Sequence, residues 1–380
     1  MKIPYGRQNI EQFEIDEVIK TLKSDFLTQG PKVHEFEKCF ANYVGAKYAA
    51  AVSNATAGLH LAVKSLGLKK GDRIITTPIT FASSANCARF VGAEVWFADI
   101  DPNTYLISFE KTKELLESKP KGFFKGIIPV DFGGLPINLE EFRKLADEHG
   151  LWIIEDACHA PGAYFTDSQG NNIMCGQGEY SDCSVFSFHP VKHIACGEGG
   201  MVTTNSKKIY DKLILLRTHG ISKENMEDNH GGWYYEMQEL GYNYRLTDIQ
   251  ATLGITQLAK NSSGVEKRNE IAEKYKRAFE GLIKYQSLPE GILNAHHLFV
   301  IEVDDRKGLY NYLKLHGIYT QIHYIPVHTL PYYRRIGYEN ADLTNAENYY
   351  QHCLSLPIYP TLTASEHEYI INKVLKFKTK

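Results

Sequence analysis

Between about residues 40 and 205 the sequence alternates short apolar runs with amphipathic stretches, and this limits the fold more than any other feature. Ile74-Ile-Thr-Thr, Glu94-Val-Trp-Phe-Ala, Gly126-Ile-Ile-Pro-Val and Trp152-Ile-Ile-Glu are short, apolar and followed by turn residues or an acid, which predicts buried strands. Ala55 to Ser65, Ser83 to Phe90 and Leu139 to His149 carry helical spacing between them. Strands alternating with helices predict an α/β fold, with helices on both faces of a mostly parallel sheet. In such sheets ligands gather at the carboxyl ends of the strands. Two glycine-rich polar stretches, Thr166 to Gln177 and Ser222 to Gly232, read as loops.

The pattern changes after the charged, heptad-spaced helix Glu266 to Gly281, which reads as a connector. A strand (Leu298-Phe-Val-Ile-Glu-Val), a helix (Gly308 to His316), a strand (Thr320-Gln-Ile-His-Tyr) and a final helix (Ala364 to Lys376) predict a smaller α+β unit. The 380 residues suffice for a large domain over 1–260 and a small C-terminal domain over 261–380.

A formal net charge of -3 gives no reason to expect nucleic acid or a membrane surface as partner. No run of 18 apolar residues occurs, and Met1-Lys-Ile-Pro-Tyr-Gly-Arg-Gln does not read as a signal peptide, so a cytoplasmic protein is expected. Seven scattered cysteines without a Cys-x-x-Cys pair predict reduced thiols and no metal site.

Three local features carry chemistry. Asp156, in Glu155-Asp156-Ala-Cys-His159-Ala, follows a strand; taken alone it is either a helix cap or an acid facing a ligand. Val52-Ser53-Asn54-Ala55-Thr56-Ala57-Gly58 is either an ordinary capped helix or small residues that let backbone amides approach an anion. Lys192 lies 36 residues after Asp156, between Phe186-Ser-Phe188 and Gly197-Glu-Gly-Gly200; it is either a surface lysine or a desolvated, nucleophilic amine. An amine, an acid, an anion cradle and a stacking surface are what pyridoxal 5′-phosphate (PLP) requires of a protein.

The order of these features, with Ser187-Phe-His-Pro-Val-Lys192 and Gly241-Tyr-Asn-Tyr-Arg-Leu-Thr-Asp-Ile-Gln250, resembles the DegT/DnrJ-type sugar aminotransferases, which are fold-type I PLP-dependent transferases. The resemblance runs from Pro4 to the C-terminal helix. It implies that Lys192 holds PLP as a Schiff base and serves as catalytic base and acid. Asp156 would pair with the pyridine nitrogen, His159 would reach the ring hydroxyl where many relatives have glutamine, and Phe81 would stack on the ring. Thr56, the backbone of Ala57 and Ser187 would bind phosphate. Asn243 would reach the phosphate of a neighbouring subunit, which implies a homodimer with shared sites. The sequence departs from the family at Ala195-Cys196, where relatives usually have two threonines. A related dehydratase branch has histidine at the lysine position, and Lys192 argues against it.

Ile3-Pro-Tyr-Gly-Arg-Gln-Asn9, Ser24-Asp-Phe-Leu-Thr-Gln-Gly-Pro31 and Gly317-Ile-Tyr-Thr-Gln-Ile-His-Tyr-Ile-Pro-Val-His328 most resemble the branch of the family that works in pseudaminic acid synthesis. That implies transfer of the amino group of L-glutamate to C4 of a UDP-linked 4-keto-6-deoxy-N-acetylhexosamine, with Tyr5, His323 and Tyr324 at the substrate. Arg7, Lys23, Arg217 and Arg245 are the cations available for the diphosphate. Alternatives are another nucleotide 4-ketosugar (legionaminic acid, bacillosamine, perosamine or lipid A modification) and a non-catalytic PLP-binding regulator.

Overall fold

The computed structural model describes residues 2–224, 226–228, 230–338 and 342–378. Nine strands lie in the first part of the chain: β1 (Tyr48–Val52), β2 (Arg73–Thr76), β3 (Glu94–Phe97), β4 (Gly126–Ile128), β5 (Trp152–Asp156), β6 (Tyr164–Thr166), β7 (Asn172–Met174), β8 (Cys183–Ser187) and β9 (Gly200–Thr204). Seven of them form one sheet in the order β1-β9-β8-β5-β4-β2-β3. β9 is antiparallel to both its neighbours and every other pairing is parallel, so β9 alone opposes the rest. Apolar cores cover both faces. Ile75, Ile127, Ile153 and Phe142 belong to one, and Val52, Leu59, Ile74, Ile154 and Val185 to the other. That is why these strands read as continuous apolar runs and not as alternating ones.

Glycine sets two close approaches near the ends of these strands. A Cβ on Gly58 would meet Val185 and Val202 at 3.0 and 3.1 Å, so the helix Ala55–Ser65 lies tightly on β8 and β9. A Cβ on Gly200 would stand 2.7 Å from the backbone of Asn54 and Ala55, which brings the start of β9 against the start of that helix.

Beyond Lys260, where the helices Asp248–Ala259 and Asn261–Phe279 meet, the strands Lys284–Tyr285, Phe299–Glu302 and Cys353–Leu356 form a second, antiparallel sheet. Helices Arg306–Leu315 and Ala364–Lys378 pack with it around Tyr275, Phe279, Ile301, Leu313 and Ile370. Ile292–Leu293 leaves this unit and pairs with β6. Among the described residues no helix is long and apolar enough to cross a membrane.

Two sequence expectations are corrected. Thr320 to Tyr324 is not a strand: Ile318 bridges Ile3, Gln321 bridges Ser355, and the His323 carbonyl accepts the Tyr349 hydroxyl at 2.6 Å. Its polar groups are thus shared among several segments, and no ladder forms. Thr166 to Gln177 contains β7, paired with β6 across a turn in which Asp167 Oδ1 accepts the amides of Gln169 and Asn171. The loop expected over 222–232 is flanked by a short pairing of Ile221–Ser222 with Glu236–Met237, and its residues 225 and 229 lie outside the described residues.

Candidate active site

A cleft of about 850 Å³ opens at the carboxyl ends of β5 and β8. Tyr5, Thr56, Phe81, Asp156, His159, Ser187, Lys192, His323 and Tyr324 all line it. These residues come from six separate stretches of sequence, so the fold gathers what the sequence scatters. Ala57 and Asn243 do not line it. Ala57 is buried and its amide donates to the Asn54 side chain at 2.8 Å, as N-capping requires. The helix start leaves the amides of Ala55 and Thr56 without intrahelical acceptors, and Ala55 and Thr56 both line the cleft. Asn243 is exposed, and its backbone bridges Thr218 outside the cleft.

Lys192 lies on the loop between β8 and β9, its amide closing a turn on the His189 carbonyl at 2.8 Å. Burial lowers its amine to about 8, against the opposing pull of Cys158 and Asp156. Its Nζ is 3.4 Å from His297 Nε2.

Asp156 ends β5 and is 4% exposed. Its Oδ2 accepts the Ser84 hydroxyl at 2.6 Å, and its Oδ1 accepts the Cys158 amide at 3.3 Å. Among the described residues no cation stands within ion-pair distance of it. Beneath it, the buried acids Asp131 and Glu155 lie together, and burial with mutual repulsion pushes Asp131 well above the usual carboxylate range. The Asp131 amide donates to the Asp156 carbonyl at 3.1 Å, so this pair supports the strand end that carries Asp156.

His159 Nδ1 accepts the Gly133 amide at 3.2 Å, which puts its proton on Nε2, 3.0 Å from the Tyr324 hydroxyl. Burial, aided by Lys192, holds His159 well below its ordinary pKa, so the ring is neutral. Phe81 is 62% exposed, an aromatic face left open on the cleft wall. His323 packs against Tyr5 with ring centroids 5.5 Å apart, and its Nδ1 lies 2.8 Å from Ser355 Oγ.

Ala195 and Cys196 are buried, and Cys196 packs towards Gly254. The loop after Lys192 is thus held here by apolar packing together with the Cys196 amide on the Phe188 carbonyl at 2.8 Å. Of the four cations offered for a diphosphate, Arg217 is committed elsewhere: it pairs with Glu37 and donates to the Ala51 carbonyl. Sequence reasoning missed Ser84 and His297. The adjacent His296-His297 before a predicted strand was a visible signal for the second. Nothing local marked Ser84.

Residues 8–375 match the DegT/DnrJ/EryC1/StrS aminotransferase family. The chain is 40% identical to the spore coat polysaccharide biosynthesis protein SpsC of Bacillus subtilis, over 98% of this chain and 96% of that protein. It is 37% identical to the UDP-4-amino-4,6-dideoxy-N-acetyl-beta-L-altrosamine transaminase of Campylobacter jejuni, over 97% and 95% of the two chains. Among solved structures, Helicobacter pylori PseC, an aminotransferase involved in pseudaminic acid biosynthesis, superposes with a TM-score of 0.86 at 29% identity, covering 99% of each chain.

Proposed function

The chain belongs to the DegT/DnrJ/EryC1/StrS aminotransferase family, and from that premise we propose that it transfers the amino group of L-glutamate to C4 of a UDP-linked 4-keto-6-deoxy-N-acetylhexosamine, the acceptor of pseudaminic acid synthesis. It is a sugar aminotransferase, and its cofactor is PLP. The residues present fit that cofactor. Asp156 is a buried carboxylate on a cleft wall with no cation paired to it among the described residues, and a protonated pyridine nitrogen is such a cation. The free amides at Ala55 and Thr56, with Ser187 nearby, suit a phosphate, and the open face of Phe81 suits a flat ring. When bound, PLP supplies an electron sink that makes a neighbouring carbon-bound proton labile.

The chain's own residues do the rest. Lys192 takes up and returns that proton at Nζ, and its lowered pKa gives it a far greater neutral fraction near neutral pH than an exposed lysine has. Ser84 fixes the rotamer of Asp156. His159 and Tyr324 present a neutral donor chain to a ring hydroxyl. Tyr5 and His323 form the wall on which the sugar would rest.

The observation that carries this reading is the convergence of Lys192, Asp156, Phe81 and Thr56 on one cleft. We set the boundary between the two domains at Lys260. In the same reading the enzyme is a homodimer, with Asn243 of one subunit turned to the cofactor phosphate of the other; the exposed Phe13, Leu22, Phe26, Trp233 and Met237 support such an interface. The greater identity to the spore coat protein favours a second reading, amination of another nucleotide 4-ketosugar. A panel of nucleotide 4-ketosugars, followed by the loss of the amine-form spectrum, decides between them. No turnover of the UDP-linked acceptor would overturn the first.

A further inference from the structure

Lys192 also lines a second cavity, of about 350 Å³, to which no role has been given above. Its walls come from the N-terminal segment (Arg7, Asn9), from His193 beside the lysine, and from the junction and first turns of the helix Asn261–Phe279 (Lys260, Lys267, Arg268). The wall is rich in cations, with Glu11 the one carboxylate among them, and two of the cations are already matched. Lys260 pairs with Glu14 at 2.6 Å and Glu11 at 3.7 Å, and Lys267 pairs with Glu270 at 2.9 Å. Among the described residues Arg7 and Arg268 have no carboxylate within ion-pair distance.

Arg268 is the informative one, because it is 2% exposed. Its Nη1 donates to the carbonyls of Ile358 at 2.9 Å and His296 at 3.2 Å, while its buried Nε has no partner. Carbonyl dipoles satisfy hydrogen-bond donors but do not neutralise a buried guanidinium, and burial pulls it down to about 10. His193, on the same wall, donates from Nε2 to the Ala295 carbonyl at 2.9 Å and leaves a buried Nδ1 unpartnered. A bound anion is what would let that nitrogen take a proton and donate it.

We infer that this second cavity is an oxyanion subsite, in which Arg7 and Arg268 take the side-chain carboxylate of the amino donor while its amine reacts at the position of Lys192. The inference rests on the aminotransferase reading. Volume separates the two anions that the reaction could bring. About 350 Å³ suits a short carboxylate-bearing chain, whereas a nucleoside diphosphate fills a larger pocket. Lys192 lines both cavities, so the subsite adjoins the residue that carries the reacting amine.

The two half-reactions can be followed separately by the cofactor spectrum in single turnovers of the holoenzyme. Arg7→Gln should raise the glutamate concentration needed for half-maximal rate about tenfold, the worth of one charge-assisted hydrogen bond, and leave the ketosugar half-reaction within about twofold of normal. Arg7 is exposed, so this variant keeps the fold; Arg268→Gln should behave alike where it folds. Loss confined to the ketosugar half-reaction would assign the cavity to the acceptor's phosphate and overturn the donor assignment. No change in either half-reaction would overturn the subsite itself. Calorimetric titration of the holoenzyme with glutarate, which has no amine to transfer, tests the site without turnover: binding weakened about tenfold by Arg7→Gln supports it, and equal binding or none overturns it. Wild-type enzyme that binds glutarate but does not react with glutamate would sink the proposed donor and leave the anion subsite standing.

Discussion

Lys192 Nζ stands 3.4 Å from His297 Nε2, and His297 in turn packs against His159, the rings tilted by 41° with centroids 4.4 Å apart. Burial first, and the Lys192 charge second, hold both histidines well below their ordinary pKa. The lysine is therefore ringed by neutral imidazoles, which give its amine a fixed place without adding a competing positive charge. His297 Nε2 can accept from the Lys192 ammonium or donate to its neutral amine, according to the ring tautomer, and its buried Nδ1 has no side-chain or backbone partner among the described residues.

If His297 positions the amine, His297→Phe should lower kcat about tenfold to a hundredfold with little change in KM, because proton transfer is sensitive to small displacements. His297→Gln, which retains a hydrogen-bonding group, should recover most of the loss. Single-turnover rates and the deuterium effect at the donor's α-carbon check this. Equal rates in all three proteins would remove His297 from the mechanism.

Lys192→Ala should abolish turnover, lowering kcat by at least about 10⁴. Borohydride treatment of the wild-type holoenzyme, followed by peptide mass mapping, should find the cofactor mass on Lys192. A variant that turns over normally would falsify the assignment.

The lowered pKa of Lys192 also sets a stability trend in the protein freed of cofactor. An unfolded lysine binds its proton up to about 10.5, while the folded one releases it near 8. Between those values the unfolded state binds more protons, so stability gains as pH rises through the window. Below about 8 both states are protonated, and burying the ammonium costs at most about 3 kcal/mol. Lys192→Met should therefore be the more stable protein at pH 7, with an advantage that shrinks between pH 8 and 10. Denaturant midpoints across that range test it, and a constant advantage would contradict the pKa.

Ser84→Ala should leave Asp156 Oδ2 without its 2.6 Å donor. The loss of one hydrogen bond to a charged group is worth about 1.5–3 kcal/mol. Cofactor affinity, read by spectral titration, should fall about tenfold or more, and Ser84→Thr should restore part of it. Unchanged affinity would mean that the Cys158 amide alone orients the carboxylate.

What the sequence revealed and what it hid divide along physical lines. The parallel strands were legible because Ile74, Ile75, Ile127 and Ile153 are buried from both faces, leaving unbroken apolar runs. Asp156 and Lys192 were legible as an ordered set, each ambiguous alone. His323 and Tyr324 line the cleft, but not on the strand expected of them, because a short apolar-polar alternation cannot tell a ladder from a strap held by Tyr349, Ile3 and Ser355. Ser84 was invisible because its partner lies 72 residues away. The Asn54 cap that takes up the Ala57 amide was visible as a capping residue, yet which amides remained open depended on the folded helix start.

That helix start yields the last prediction. Gly200 has no left-handed backbone conformation, so nothing about φ requires glycine there. What requires it is space: a Cβ would stand 2.7 Å from Asn54 C and Ala55 N, and those are backbone atoms that cannot rotate aside. Gly200→Ala should therefore push β9 away from the cap and tilt the amides of Ala55 and Thr56, costing about 1–3 kcal/mol of stability and weakening cofactor binding. Gly197, at φ +80° with nothing within 4 Å of a Cβ, is the contrasting case. Gly197→Ala should cost about 1–2 kcal/mol through the backbone alone and leave the helix start untouched. Thermal melts with spectral titration of cofactor separate the two. Gly200→Ala should lose both stability and affinity through the phosphate end, and inorganic phosphate should protect it less than it protects Gly197→Ala. Equal protection of the two variants would mean that the amides of Ala55 and Thr56 do not hold the anion.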